Sequence, residues 1–426
     1  MMTRGKAAAV GLSTVTAMIT LSGPAVAGGL YLAEIGTRDA GFASAGWAAR
    51  AEDAGTIASN PAGLARLTQP ELIVGLQPLY ADIQFKPDAS TTTSGPDGDA
   101  SGLIPSGSLF YARPVNDRWA WGIGVYGNFG SKLDYESDWV GRYYVDDVTL
   151  QALVVQPTVS WRINDRWSVG AGLMGVYAIF EEKIRVRNLS PGEGDGLLKL
   201  DDEQVEWAAN FGVLFEPSSR TRIGLQYVME TELGFEDQPE FRGIGPLLDA
   251  VLERNGLKGA TLGLEMNYPN ALMLSGFHQL DDRWAILGNV GWQQWSEFGK
   301  VSVTLSAEDQ TTLVADRNYD DTWHVAAGAE YRVSDPWRIS FGMGYDSSMV
   351  KDKYRTPDLP VGEQWRFGFG AEYAKSDRFT ITGTYTLIWG GDLSMSLDRG
   401  PLAGKVEGEY DGAAVHTVGV VFRWMY

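Results

Sequence analysis

Ser376-Asp377-Arg378-Phe379-Thr380-Ile381-Thr382-Gly383-Thr384-Tyr385-Thr386-Leu387-Ile388-Trp389 is a turn followed by a strand of strict period two. Phe379, Ile381, Tyr385, Leu387 and Trp389 share one face with Gly383, and four threonines take the other. Successive strand side chains point to opposite faces, so one side of this strand needs apolar surroundings and the other does not. The same turn, with an aromatic after it, recurs at Asn116-Asp117-Arg118-Trp119, Asn164-Asp165-Arg166-Trp167, Asp281-Asp282-Arg283-Trp284 and Ser334-Asp335-Pro336-Trp337, with a weaker copy at Ser218-Ser219-Arg220-Thr221. Asn, Asp and Ser suit such turns because their side chains bond the local backbone. Each interval fits one strand up, a longer loop and one strand back. Aromatics at strand ends match the interfacial girdle of an outer-membrane barrel. Six short turns with both termini periplasmic predict fourteen strands, and the final Val418, Val420, Phe422, Trp424, Tyr426 face fits a last barrel strand.

Composition agrees. Of 426 residues 52 are Gly, with 15 Trp, 18 Tyr and 16 Phe, and no apolar run after residue 27 approaches the ~18–20 residues of a spanning helix. With no Cys there is no disulfide, thiolate metal site or cysteine nucleophile. A net charge of −19 argues against nucleic acid as a partner. Residues 1–27 read as a signal peptide: Arg4 and Lys6, an apolar stretch, then Ala25-Val26-Ala27, with cleavage expected between Ala27 and Gly28. The expected location is the outer membrane of a Gram-negative bacterium.

Residues 28–69 do not alternate. They are rich in Ala and Gly and end in Ser59-Asn60-Pro61-Ala62-Gly63-Leu64. A disordered tail would be more polar, so this segment is read as a hatch inside the lumen, and residues 70–426 as the barrel. The chain resembles the FadL family of outer-membrane transporters for long-chain fatty acids, toluene and similar hydrophobic compounds. Asp53-Ala54-Gly55 through Asn60-Pro61-Ala62-Gly63 looks like the family's hatch motif, and Trp139-Val140-Gly141-Arg142-Tyr143 like its Trp-x-Gly-Arg-Tyr segment. Asn210–Pro217 with Thr221–Gly224, Trp295-Ser296, Asp321-Thr322-Trp323, Gly328–Arg332, and Tyr345-Asp346 with Arg355–Pro360 follow in the family's order. The resemblance implies a fourteen-stranded barrel closed by an N-terminal hatch, with a lateral opening at a kink in the third strand. Here Tyr126-Gly127-Asn128-Phe129-Gly130 interrupts the alternation of that strand, so the opening is expected near Gly127, Asn128 and Gly130. The segment Asn188–Glu203 between the fifth and sixth strands reads as a short, Gly-rich loop.

Gly122/Gly124/Gly127 and Gly170/Gly172/Gly175 mimic a dinucleotide fingerprint, but they sit inside strands and not at a strand-to-helix turn. Bare inner-wall positions would instead admit the hatch. His278, His324 and His416 have no metal spacing, and no nucleophile elbow occurs, so neither an enzyme nor a cofactor or metal is expected. Glu206, Glu216, Arg222, Glu230, Glu330, Arg332, Arg338, Arg366 and Glu372 are read as inward-facing charges bracing wall and hatch. Arg142, beside Trp139 and Tyr143, has two readings: it holds a ligand carboxylate, or it pairs with Asp138 or Asp146. Leu247, Leu248, Val251 and Leu252 form one face of a short helix on an external loop, which gathers hydrophobic ligand, covers the mouth, or both. Trp139, Arg142, Tyr143, Leu248 and Leu252 are therefore the candidate ligand contacts.

These features fit passive transport of hydrophobic small molecules. The rival readings are a surface receptor or structural barrel and a general porin. Expected partners are the ligand, outer-membrane lipids and the barrel-assembly machinery acting on the C-terminal strand ending at Tyr426; the chain is expected to be a monomer.

Overall fold

In the computed structural model, residues 33–306 and 311–426 are described; the expected cleavage site at Ala27 and Gly28 lies outside them. The chain closes into a barrel of fourteen antiparallel staves. β1 is broken into Glu71–Leu76, Leu79–Asp82 and Gln84–Pro87, and β2 into Gly98–Asp99, Gly102–Ile104 and Gly107–Pro114. β3 (Trp119–Asp134), β4 (Asp147–Arg162), β5 (Trp167–Val186) and β6 (Gly196–Ser218) are continuous. β7 comprises Thr221–Val228, Thr231–Asp237 and Glu240–Arg242; β8 comprises Thr261–Tyr268 and Ala271–Gln279. β9 is Trp284–Gln293 and Lys300–Ser306, and β10 is Thr311–Asp316 and Thr322–Arg332. β11 (Trp337–Asp346), β12 (Gln364–Ser376), β13 (Phe379–Asp398) and β14 (Lys405–Met425) complete the wall. Pairing of Glu71 with Met425 joins β14 to β1 and closes it.

All six tight connections fall at the repeated turns. The Asn116, Asn164 and Asp281 side chains each accept two backbone N–H bonds from the residues two and three ahead, closing the turn. The outward face is apolar: Trp365, Phe367, Phe369 and Tyr373 of β12 are each 36–44% exposed to what the lipid must cover. Opposite them point buried Arg366 and, on β13, Thr380, Thr382, Thr384 and Thr386. No helix among the described residues is long and apolar enough to span a bilayer; the strands do the crossing.

Two sequence expectations need correction. β6 already begins at Gly196, so the loop after β5 is shorter than Asn188–Glu203. Glu230 is exposed instead of inward, because β7 is interrupted there and Asn270 bridges the break, accepting from the Glu230 N–H.

Candidate functional site

Residues 33–67 fill the lower lumen, almost all of them buried. They are small because the fit is close. A Cβ on Gly342 would collide with the Phe42 carbonyl, one on Gly224 with that of Ala48, and one on Gly170 with Pro61. Gly122 and Gly124 of β3 leave space for the Ile57 side chain of the hatch helix Thr56–Ser59. The false nucleotide fingerprints are thus partly hatch sockets. Asn60 is extended (φ −167°), caps the turn Pro61–Arg66 by accepting from Ala62 N–H, and donates to the Ala48 carbonyl at 2.6 Å.

Charges tie the hatch to the wall. Arg38 contacts Glu330 at 2.6 Å and Glu372 at 2.9 Å; Glu34 meets Arg366 at 2.7 Å; Glu52 meets Arg222 at 3.0 Å; Arg66 pairs with Glu216. Burial alone would raise the Glu52 carboxyl, but Arg222, Arg38 and Arg50 outweigh it and hold it at about 2. Amides missed by the sequence reading clasp the hatch helix. Gln156 donates to the Ile57 carbonyl at 2.7 Å, Asn210 to that of Ala58 at 2.9 Å, and Gln226 to Ala58 at 2.7 Å. Their signal was available: each is a polar residue at an inward position, flanked on the outward face by apolar neighbours (Val155 and Pro157, Ala209 and Phe211, Leu225 and Tyr227).

Of the histidines, His324 meets a serine and an acid, with Ser44 at 3.1 Å and Asp346 at 2.8 Å. Ser44 gives its hydroxyl hydrogen to the Ala43 carbonyl at 2.6 Å, and the adjoining void of about 10 Å³ admits at most one water. The arrangement anchors the hatch and leaves no place for a substrate.

Above the hatch the lumen is apolar. Phe85, Tyr135, Trp139, Phe180, Tyr268 and Trp295 belong to one continuous buried cluster. Trp139 is fully buried, stacked on Tyr135 at 4.2 Å, with its indole N–H on the Val145 carbonyl. Arg142 is engaged by its own loops. Its carboxylate partner is Asp195 at 2.8 Å, not Asp138 or Asp146, and it donates to the Ser94 and Trp139 carbonyls and to Tyr143. Asp146 pairs instead with Arg185, and Tyr143 donates to Asp195. The external helix forms over Pro246–Arg254 with Leu248 and Leu252 buried, whereas Leu247 is 52% exposed.

The wall is broken beside β3. Its ladder with β2 ends at Ser108 opposite Tyr126. Beyond that pair, Gly102–Ile104 of β2 bonds to β1, and residues 127–134 of β3 bond only to β4 among the described residues. On the β4 side the register shifts between Gly127 and Phe129. Inward positions switch from even to odd there, as a bulge requires. Asn128 is buried with its Oδ1 unpartnered, and Phe129 turns inward to stack on Tyr268 at 4.4 Å. A recess of about 290 Å³ opens at the break, lined by Ile104, Pro105, Gly107, Gly127, Phe129 and Gly130 among others.

A fourteen-stranded barrel with an internal plug and an apolar upper lumen defines a hatch-bearing outer-membrane channel. The profile of the family described as outer membrane protein transport protein (OMPP1/FadL/TodX) matches residues 18–424, and the chain belongs to that family. It is 25% identical to the long-chain fatty acid transport protein of Escherichia coli O6:H1 over 92% of this chain and 94% of that one. Its fold is shared with a Pseudomonas aeruginosa FadL homologue (TM-score 0.83, 20% identity, 92% and 99% of the two chains). It is also shared with the Ralstonia pickettii toluene transporter TbuX (TM-score 0.65, 16% identity, 92% and 98%).

Proposed function

We propose that this protein carries hydrophobic small molecules, long-chain fatty acids or hydrocarbons, passively across the outer membrane. In this reading ligand leaves sideways into the bilayer through the break between β2 and β3. The observation that carries the reading is the end of the ladder at Ser108 and Tyr126, with an apolar recess beyond it. Energetics favour the route. Each CH₂ moved from water to lipid gains about 0.8 kcal/mol, while the alternative path through the base would strip buried partners from Arg38, Arg222 and Arg366. Breaking a buried pair costs roughly 3–5 kcal/mol. The relatives named for fatty acids and toluene support the ligand class, and the filled lumen disfavours a general porin. Trp139, Arg142 and Tyr143 would shape the mouth, with Leu248 and Leu252 seating the external helix over it.

Valine at both Gly127 and Gly130 tests the route. A Cβ at Gly127 meets nothing closer than 3.6 Å, and one at Gly130 nothing closer than 3.3 Å, so the barrel should assemble while the recess fills. Uptake should fall with ligand binding intact; normal uptake by the folded double variant would refute lateral exit.

A further inference from the structure

The repeated turns do more than reverse the chain. In the four turns that carry Asp-Arg the first residue closes the turn: Asn116, Asn164, Asp281 and Ser376 accept the N–H of Arg118, Arg166, Arg283 and Arg378. The second residue, Asp117, Asp165, Asp282 or Asp377, is exposed and has no hydrogen bond or ion pair among the described residues. Neither Asp nor Arg is used by its neighbour, since no ion pair forms within any of these turns. Directly after each Arg comes an aromatic on the lipid-facing side, packed against an aromatic of the next strand. Trp119 lies 5.7 Å from Trp161, Trp167 4.4 Å from Phe215, Trp284 4.5 Å from Tyr331, and Phe379 5.2 Å from Trp424. Each turn therefore presents a free carboxylate, an exposed guanidinium without a carboxylate partner (that of Arg283 reaches only the Tyr331 hydroxyl, at 3.5 Å) and then an aromatic pair, in that order toward the membrane.

Such aromatic pairs sit at head-group level in outer-membrane barrels. The charges beside them are then level with, or just beyond, the head groups of the periplasmic leaflet. We propose that the four Asp-Arg turns dock aminophospholipid head groups, with Arg on the phosphate and Asp on the primary ammonium. Charge complementarity selects this occupant. A guanidinium matches phosphate oxygens with paired donors, and a carboxylate needs an N–H donor that a trimethylated head group lacks. Phosphatidylethanolamine supplies both charges, whereas phosphatidylcholine offers the Asp no hydrogen to accept.

The test uses the full-length barrel in nanodiscs holding equal phosphatidylethanolamine and phosphatidylcholine of the same chains, followed by mild extraction and mass spectrometry of the retained lipid. Wild type should retain the ethanolamine lipid over choline by roughly fivefold, equivalent to about 1 kcal/mol at 1.4 kcal/mol per decade. Asp117→Asn, Asp165→Asn, Asp282→Asn and Asp377→Asn together should bring the ratio to one, because Asn keeps turn propensity and loses the charge. The four Arg→Gln changes should reduce both lipids alike. Should the fourfold Asp variant fail to assemble, each single change must still lower the ratio. A wild-type ratio near one, or a ratio that none of the Asp changes moves, overturns the proposal and leaves the rim open to a periplasmic partner.

Discussion

The Phe42 carbonyl occupies the space that a side chain at position 342 would need. Hatch backbone therefore lies directly on wall backbone at β11, and the plug is keyed to its barrel by absent side chains as well as by charge.

Gly342→Ala should push Phe42 off the wall and destabilise the hatch by about 1–3 kcal/mol, the usual cost of overpacking. Gly383→Ala is the control, since a Cβ there meets nothing within 4 Å. Thermal melts should separate the two variants; equal melting would mean that the hatch contact contributes nothing.

Deleting residues 33–58 should leave a folded barrel with raised single-channel conductance. Arg222, Arg366, Glu330 and Glu372 would lose their hatch partners but face a lumen that water then fills. Unchanged conductance would show that something else blocks the pore.

Mild acid should not release the hatch. Glu52 ordinarily titrates near 4.5 and is held at about 2 when docked. Its contribution is complete above the higher value and disappears only as pH falls through the lower one. Conductance at pH 4 should match that at pH 7; a pore that opens at pH 4 would contradict the ion-pair account.

Arg142→Ala should weaken fatty-acid and toluene uptake by the same factor. Asp195, Ser94, Trp139 and Tyr143 already engage its guanidinium, so the substitution loosens the mouth without removing a free anchor. A loss confined to fatty acids would show that Arg142 exchanges Asp195 for the ligand's carboxylate.

Local chemistry was legible in the sequence and distant pairing was not. The six turns follow from Asn, Asp and Ser bonding their own backbone, and the register shift within β3 from two glycines and an Asn that upset a period of two. The partner of Arg142 lies 53 residues away on another loop, which no spacing reveals. The start of β6 was hidden because Asp201, Asp202 and Glu203 have polar residues on both faces. Strand alternation needs an apolar surrounding to maintain it, and these residues are not sequestered from water. Glu230 was misplaced for a related reason: parity carries through an unbroken strand, and β7 is interrupted beside it.

The central claim is lateral exit, and the absence of native cysteines allows a direct measurement. Ser106→Cys and Gly130→Cys place thiols on opposite lips of the recess, where a short cross-linker cleavable by reductant can join them. Uptake should stop when the lips are joined and return on reduction, with ligand binding unchanged throughout. Transport at the original rate through the joined barrel would contradict lateral exit and direct the ligand through the base.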